Sequence, residues 1–66
     1  MQIILNGDPQ TFTTPMTVSA LLEHLQMDPL GVAVAINLHV VPRSQHENHT
    51  LQSGDRVDVI RAVGGG

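Results

Sequence analysis

One amphipathic segment in the first half of the chain constrains the fold more than any other feature. Four apolar residues recur there at the i, i+3, i+4 and i+7 spacing of one helix face: Val18, Leu21, Leu22 and Leu25. Thr17 directly precedes them and predicts an N-cap, whereas Thr14 followed by Pro15 is an alternative start one turn earlier. Asp28-Pro29 is predicted to end the helix, because the residue before a proline disfavours the α region. A single helix of this kind covers only one face of a sheet.

Two strands are predicted before the helix. Residues 1–5, MQIIL, place Met1, Ile3 and Leu5 on one face of a strand. The next four residues, NGDP, are a turn signal, because asparagine and glycine tolerate positive φ and proline fixes its own. Residues 10–14 are then predicted to return as the second strand of a hairpin.

Three further strand patterns follow the helix. In residues 32–37, VAVAIN, large apolar side chains alternate with alanines, which is typical of a central strand. Val40-Val41 predict a short strand that Pro42 ends. Residues 43–50 are polar and predict a loop or a single helical turn. In the last strand, residues 56–63, Val57 and Val59 lie on one face, and Arg56, Asp58 and Ile60 lie on the other.

This order of elements predicts an α+β fold with a four- to five-stranded mixed sheet and one main helix on one face. The first and last strands are strongly apolar, so we place them side by side and parallel in the middle of the sheet, joined by a crossover through the helix. That is the ubiquitin-like β-grasp arrangement. We expect one β-grasp domain over residues 1–63 and a flexible C-terminal glycine tail over residues 64–66.

Composition excludes several classes of function. The 66 residues include three arginines and no lysine, with a net charge of −3, so no basic patch for nucleic acid or an anionic membrane can form. The absence of cysteine excludes disulfides, thiolate metal sites and a cysteine nucleophile. The first residues lack the basic start and long apolar run of a signal peptide. We therefore expect a cytoplasmic protein with no deep active site of its own.

The three glycines that end the sequence, Gly64, Gly65 and Gly66, have two interpretations. They are a frayed end or a remnant of expression, or they are a backbone without side chains that threads a narrow channel in another protein. The five residues 62–66 extend over roughly 16 Å at most, at about 3.3 Å for each residue. Position favours the second interpretation, because the tail leaves directly from a predicted central strand.

A terminal carboxylate needs activation before it reacts, usually as an acyl-phosphate anhydride made from ATP. The chain has no phosphate-binding loop, because its only glycine-rich segment has no helix after it. We therefore expect ATP and Mg²⁺ to be used by a partner and no cofactor to be bound by this chain.

Three segments together resemble one family: VAVAIN, then VVPRSQ, then SGDRVDVIRAVGGG. The chain resembles the sulfur carrier proteins of bacterial thiamin (thiazole) biosynthesis over its whole length. The resemblance implies a β-grasp fold whose terminal glycine pair falls on Gly65 and Gly66, with Gly64 as an additional glycine. It further implies that an activating enzyme adenylates the terminus, that the terminus becomes a thiocarboxylate, and that thiazole synthase receives the sulfur. We expect a persulfide to be the sulfur donor, because its sulfur is ionised near neutral pH and strongly nucleophilic.

Two other functions remain open from the sequence. The small subunit of molybdopterin synthase shares the AVAIN and GD segments but usually ends in an FPPV-like segment, which RAVGGG lacks. A ubiquitin-like modifier would be joined to lysines of target proteins, about which the sequence says nothing.

The uncovered face of the sheet is the predicted docking site for the partner. It comprises five residues: Ile60, Ala62, Ala33, Ala35 and Asp58. An uncovered apolar face beside a tail is a good docking site, and Asp58 would meet a basic partner surface. The alternative is that the same face packs against a second copy of the chain.

The histidines and scattered carboxylates predict no catalytic site. His46-Glu47-Asn48-His49 has a workable metal spacing if helical, but a solvated polar loop is the favoured interpretation. His24 and His39 are predicted at the surface, and Asp55 is predicted to serve the turn after Gly54.

Overall fold

The computed structural model describes residues 1–13 and 15–61. Its regular elements in this range are five strands, one α-helix and two short 3₁₀ turns: β1 (Gln2–Leu5), β2 (Asp8–Thr11), α1 (Val18–His24), a 3₁₀ turn (Pro29–Gly31), β3 (Val32–Ile36), β4 (His39–Val41), a second 3₁₀ turn (Arg43–Gln45) and β5 (Arg56–Arg61).

The five strands form one mixed sheet in the order β2-β1-β5-β3-β4. Strand β5 lies at its centre, parallel to β1, with Leu5 opposite Val57, and antiparallel to β3, with Val34 opposite Val59. The helix α1 lies between β1 and β5 in the chain, so their parallel pairing requires a crossover. The predicted β-grasp arrangement is therefore confirmed.

The core lies between α1 and one face of the sheet. Its buried side chains come from every strand except the edge strand β2, from α1 and from the loop before β5: Ile3, Leu5, Val18, Leu21, Leu22, Val34, Ile36, Val41, Leu51, Val57 and Val59. Alternation along each strand places these residues on the helix side of the sheet, as predicted. The opposite face has no helix over it among the described residues.

The helix begins at the predicted N-cap. The Thr17 side-chain Oγ1 accepts a hydrogen bond from the backbone N–H of Ala20 at 3.1 Å. The N–H groups of Val18 and Ser19 donate to the carbonyls of His49 and His46, each at 3.0 Å. The loop after β4 therefore satisfies helix N–H groups that have no partner within the helix. The alternative start at Pro15 is wrong, and Thr14 lies outside the described residues.

The helix ends one turn before the predicted stop at Asp28. Its last residue is His24, and Gln26 adopts a left-handed conformation with φ of 58°. A left-handed residue just after the last turn ends a helix because the following carbonyls no longer point along its axis. The prediction that Asp28-Pro29 ends the helix is therefore wrong. Pro29 instead opens the 3₁₀ turn, where the side chain of Asp28 caps the N–H of Leu30 at 2.9 Å.

The bounds of strand β2 differ from prediction, and it ends at Thr11 rather than Thr14. Strand β2 begins at Asp8 rather than Gln10, because the hairpin turn consists of only Asn6 and Gly7, with φ of 48° and 87°. Pro9 is tolerated inside β2 because this strand is at the edge of the sheet. Strand β5 is described to Arg61, and its predicted continuation through Val63 lies outside the described residues.

Candidate functional site

The outer face of the sheet brings together most of the predicted docking residues. Ala33 lies directly opposite Ile60 in the β3–β5 pair, and Ala35 lies opposite Asp58. Directly opposed residues of paired strands point to the same face, so these four side chains share one surface. Ile60 is 61% exposed, whereas its neighbour Val59 is only 8% exposed. The strand register inferred from the sequence is therefore right, and Ala62 lies outside the described residues.

Two further apolar residues extend this surface and were not predicted. Val40 is 72% exposed and lies opposite Ala35 in the β3–β4 pair. Leu38, in the turn between these strands, is 73% exposed. The exposure of Val40 could have been predicted from strand alternation, because its neighbour Val41 is in the core and successive side chains point to opposite faces. Nothing in the local sequence predicts where Leu38 lies.

A shallow hollow runs along β5 on this face. Seven residues line it: Asn6, Gly7, Ala35, Leu38, Arg56, Asp58 and Ile60. Between Arg56 and Ile60 the strand advances roughly 13 Å, at about 3.3 Å per residue. The hollow therefore extends from the β3–β4 turn to the last described residues of β5, the strand that leads into the tail.

One ion pair lies along the hollow, between two residues that line it. Nε of Arg56 lies 3.3 Å from Oδ2 of Asp58, two residues further along the same face. The Arg56 side chain is 59% exposed and that of Asp58 is 23% exposed, so solvent weakens the attraction. Asp58, predicted to face a basic partner, thus already has a cation beside it. A cation of the partner would bind the Asp58 carboxylate together with Arg56 or in place of it.

Two asparagines fix the position of β5 within the sheet. The N–H of Asn6 donates to the Val57 carbonyl at 2.9 Å, and Asn6 Oδ1 accepts from the Val59 N–H at 2.8 Å. On the other side of β5, the N–H of Asn37 donates to the Arg56 carbonyl at 2.8 Å, and its Oδ1 accepts from the Arg56 N–H at 2.9 Å. Each side chain thus continues a ladder of backbone hydrogen bonds past the end of its own strand. Asn6 therefore holds the middle of β5 from one side, and Asn37 holds its first residue from the other.

The described part of β5 ends at Arg61, which is exposed. The predicted sulfur-bearing residue Gly66 and the predicted threading residues Gly64 and Gly65 lie outside the described residues.

The histidine segment is the mostly exposed turn that the sequence predicted, with His46 as the exception. His46 is buried, and its Nε2 lies 3.2 Å from the Val41 carbonyl oxygen. Because a carbonyl only accepts, Nε2 must be protonated and donate. Nδ1 of His46 is buried without a hydrogen-bond partner in the described chain. The remaining three histidines, His24, His39 and His49, are exposed or half-buried.

The other titratable groups serve turns or the surface. Asp55 performs the predicted role: its Oδ2 accepts from the Gln52 N–H at 2.8 Å, and its Oδ1 accepts from Asn37 Nδ2 at 3.1 Å. Residues 1–13 and 15–61 contain no group of three or more metal-binding side chains close enough to hold an ion. Within the same ranges, no helix is long and apolar enough to cross a membrane.

The fold and this face define a small ubiquitin-like β-grasp protein with an exposed sheet surface, and its sequence ends in three glycines. The ThiS family model matches residues 3–66, a range that includes all three terminal glycines. The chain belongs to the ThiS family, which confirms the resemblance inferred from its sequence.

Two relatives illustrate the similarity. The sulfur carrier protein ThiS of Escherichia coli is 38% identical over 66 residues, covering all of both chains. The crystal structure of the thiamine biosynthesis protein ThiS from Geobacter metallireducens superimposes with a TM-score of 0.87 at 30% identity, again over the whole of both chains.

A third relative is a much longer protein. The thiazole synthase of Paramagnetospirillum magneticum is 38% identical over 66 residues, but the chain spans only 20% of its length. The similarity therefore concerns one segment of that protein.

Proposed function

We propose that this chain carries sulfur for thiamin biosynthesis as a thiocarboxylate on Gly66. The chain is a sulfur carrier protein and not an enzyme, as its membership of the ThiS family implies. The observation that supports Gly66 as the reacting residue is the extent of the family match, which continues through the last glycine.

The proposed chemistry proceeds in two stages on an activating enzyme. An oxygen of the Gly66 carboxylate attacks the α-phosphorus of ATP, with Mg²⁺ bound to the phosphates, and pyrophosphate leaves. A persulfide sulfur then attacks the acyl carbon and AMP leaves, which gives an acyl disulfide. A second thiol then attacks the donor's inner sulfur and breaks this S–S bond. The chain keeps the outer sulfur as a thiocarboxylate, and the second thiol and the donor's inner sulfur become a disulfide. A persulfide suits the second stage because sulfur anions are strong nucleophiles near neutral pH.

The composition of the chain protects the activated terminus from side reactions. No cysteine or lysine is present to attack the acyl adenylate. The remaining primary amine is the N-terminus, and it donates a hydrogen bond to the Phe12 carbonyl at 2.9 Å in a half-buried position. This hydrogen bond holds the amine in the β1–β2 hairpin. Water is then the main nucleophile that competes with the persulfide for the acyl adenylate, and a closed partner site excludes it.

The tail acts on two partners in this proposal. The activating enzyme covers the outer face of the sheet while the three glycines enter its ATP site. Thiazole synthase then receives the sulfur, and the match between this chain and a segment of two thiazole synthases supports that partnership. The glycines suit both tasks because a tail without side chains fits a narrow channel. We place these events in the cytoplasm.

The proposal is tested by intact-mass spectrometry of the reaction. The chain is mixed with ATP, Mg²⁺, the activating enzyme, a persulfide donor and a thiol reductant. The expected product is heavier by the difference between one sulfur and one oxygen, and the gain maps to the C-terminal peptide. Repeated adenylation without this gain, across several persulfide donors, would contradict sulfur transfer.

A truncated chain provides the control for the tail. Deletion of Gly65 and Gly66 is expected to leave the urea midpoint unchanged, because terminal glycines bury little surface. It should abolish ATP–pyrophosphate exchange, because the carboxylate no longer reaches the α-phosphate and such reactions depend on placement within about an ångström. Exchange by the truncated chain at the normal rate would place the reacting group elsewhere.

A matched pair of substitutions on β5 tests the docking face. Ile60→Asp should keep the fold and weaken binding to the activating enzyme, because Ile60 is exposed on the outer face. Val59→Asp should unfold the chain, because a charge would be buried in the core without a partner. Circular dichroism reports the fold, and titration calorimetry reports the binding. Normal binding by folded Ile60→Asp would exclude this face as the docking surface.

A further inference from the structure

Leu38 occupies a backbone conformation that disfavours its side chain. It is the second residue of the two-residue turn between β3 and β4, with φ of 72°, and Asn37 before it has φ of 51°. Positive φ at both central positions is the pattern of a type I′ turn, in which asparagine followed by glycine is preferred. A leucine there brings its Cβ close to the following carbonyl oxygen. The same turn with glycine would be more stable.

Packing within the chain does not compensate for this strain. Leu38 is 73% exposed and lies outside the hydrophobic core. Its side chain instead lines the hollow on the outer face, together with Ala35 and Ile60. A strained residue with an exposed apolar side chain is expected where that side chain contacts something outside the fold.

We propose that Leu38 is a specificity-determining contact that anchors the carrier to its adenylating enzyme. This inference rests on the proposed function. The enzyme would receive Leu38 in an apolar pocket at one end of the hollow and the glycine tail at the other. The hollow connects these two contacts along one surface. It follows β5 from the β3–β4 turn to Ile60, which is close in sequence to the tail.

Charge favours this enzyme over a second copy of the chain. The carrier has a net charge of −3, so two copies repel each other. An enzyme that binds the triphosphate of ATP has a positive potential around that site. An acidic carrier that delivers its tail there is attracted as it docks, and Leu38 then adds an apolar contact that fixes its orientation.

The substitution Leu38→Gly separates the two roles of this residue, because it changes stability and binding in opposite directions. It creates the Asn-Gly turn sequence, so the urea midpoint should rise; far-UV circular dichroism is the method, since the chain has no tryptophan or tyrosine. The KM for the carrier in ATP–pyrophosphate exchange should increase roughly tenfold at unchanged kcat, the size expected for losing one buried leucine side chain. Leu38→Met should restore the KM, because it returns a flexible apolar side chain of similar volume.

Gln26→Gly is the matched control. Gln26 also has a left-handed backbone, with φ of 58°, but it follows α1 and does not line the hollow. This variant should gain stability and keep the normal KM. A stabilised Leu38→Gly variant with normal KM would overturn the proposal, and so would one whose urea midpoint does not rise.

The wild-type chain distinguishes failure of this inference from failure of the proposed function. If wild type supports no pyrophosphate exchange with the activating enzyme, the proposed function fails and the contact fails with it. If wild type is active and Leu38→Gly has the same KM, only the contact fails. A wild-type chain that sediments as a dimer and becomes a monomer on Leu38→Gly would assign the surface to a second copy instead.

Discussion

The two hairpin turns of this protein have similar φ values but different sequences and surroundings. Asn6-Gly7 and Asn37-Leu38 both place two residues at positive φ. In both, the asparagine donates its N–H to β5 and accepts an N–H of β5 through its side chain. The second residue differs. Gly7 adopts positive φ without strain, whereas Leu38 at positive φ is strained and its apolar side chain lines the hollow. The first turn favours stability, whereas the second loses some stability and exposes an apolar side chain.

The hydrogen bonds to the two asparagine side chains also differ in burial. The bond from Val59 to Asn6 is partly buried, whereas the bond from Arg56 to Asn37 is exposed. Water can replace a lost acceptor at the surface but replaces it poorly inside. The same residue in similar turns should therefore contribute unequally to stability, and three substitutions test this comparison.

The largest effect is expected for Asn6→Ala. It leaves the partly buried Val59 N–H without an acceptor and places an alanine at positive φ, so the free energy of unfolding should fall by about 2 kcal/mol. For a chain of this size that lowers Tm by roughly 10 °C, measured by circular dichroism. Asn6→Asp is the control, because it keeps an acceptor oxygen and tolerates the conformation. Equal losses in both variants would show that the side-chain oxygen is not the stabilising group.

Asn37→Ala should have a smaller effect, about 1 kcal/mol in the free energy of unfolding. Water can satisfy the exposed Arg56 N–H, although the bond from Asn37 to Asp55 is lost as well. Urea denaturation gives the value. Asn37→Gly separates the loss of the side-chain hydrogen bonds from backbone strain. It removes the side chain, but glycine adopts positive φ without strain. A loss from Asn37→Ala that exceeds the loss from Asn6→Ala would reverse the proposed order of the two turns.

Gly7→Leu makes the first turn resemble the second and should have the smallest effect. Open space surrounds the position where a Cβ would be added, so the expected loss of about 1 kcal/mol or less comes from φ of 87° alone. Gly31→Leu is the control, because it also has open space but no left-handed φ. A similar loss in both variants would attribute the effect to the added side chain and weaken the case for strain at Leu38.

Predictions from the sequence succeeded where the pattern is local. The helix start at Thr17, the buried faces of β1, β3 and β5 and the turn role of Asp55 were predicted correctly. The parallel pairing of β1 with β5 was predicted as well, because both strands are too apolar for an edge. The start of β2 was wrong, since the turn signal NGDP includes two residues that the edge strand uses.

The prediction for His46 failed for a different reason. The segment RSQHENHT is polar and lacks a period, which indicated a solvated loop. In the fold, this loop lies over the N-terminus of α1, and the carbonyls of His46 and His49 accept N–H groups of the helix. The side chain of His46 is buried as a result. Sequence polarity did not reveal this, because the need for acceptors arises only when the helix is in place.

The sequence by itself determined which residues face the core, because the periods of 3.6 and 2 are properties of single elements. It also determined the glycine tail and the absence of cysteine and lysine, which bear directly on the proposed chemistry. Only the tertiary structure decided which strand each asparagine holds, since Asn6 and Val59 are 53 residues apart in the chain. It also decided that Leu38 shares a hollow with Ile60. Such pairings depend on the register between distant strands, and that register is set where their apolar faces pack against one helix.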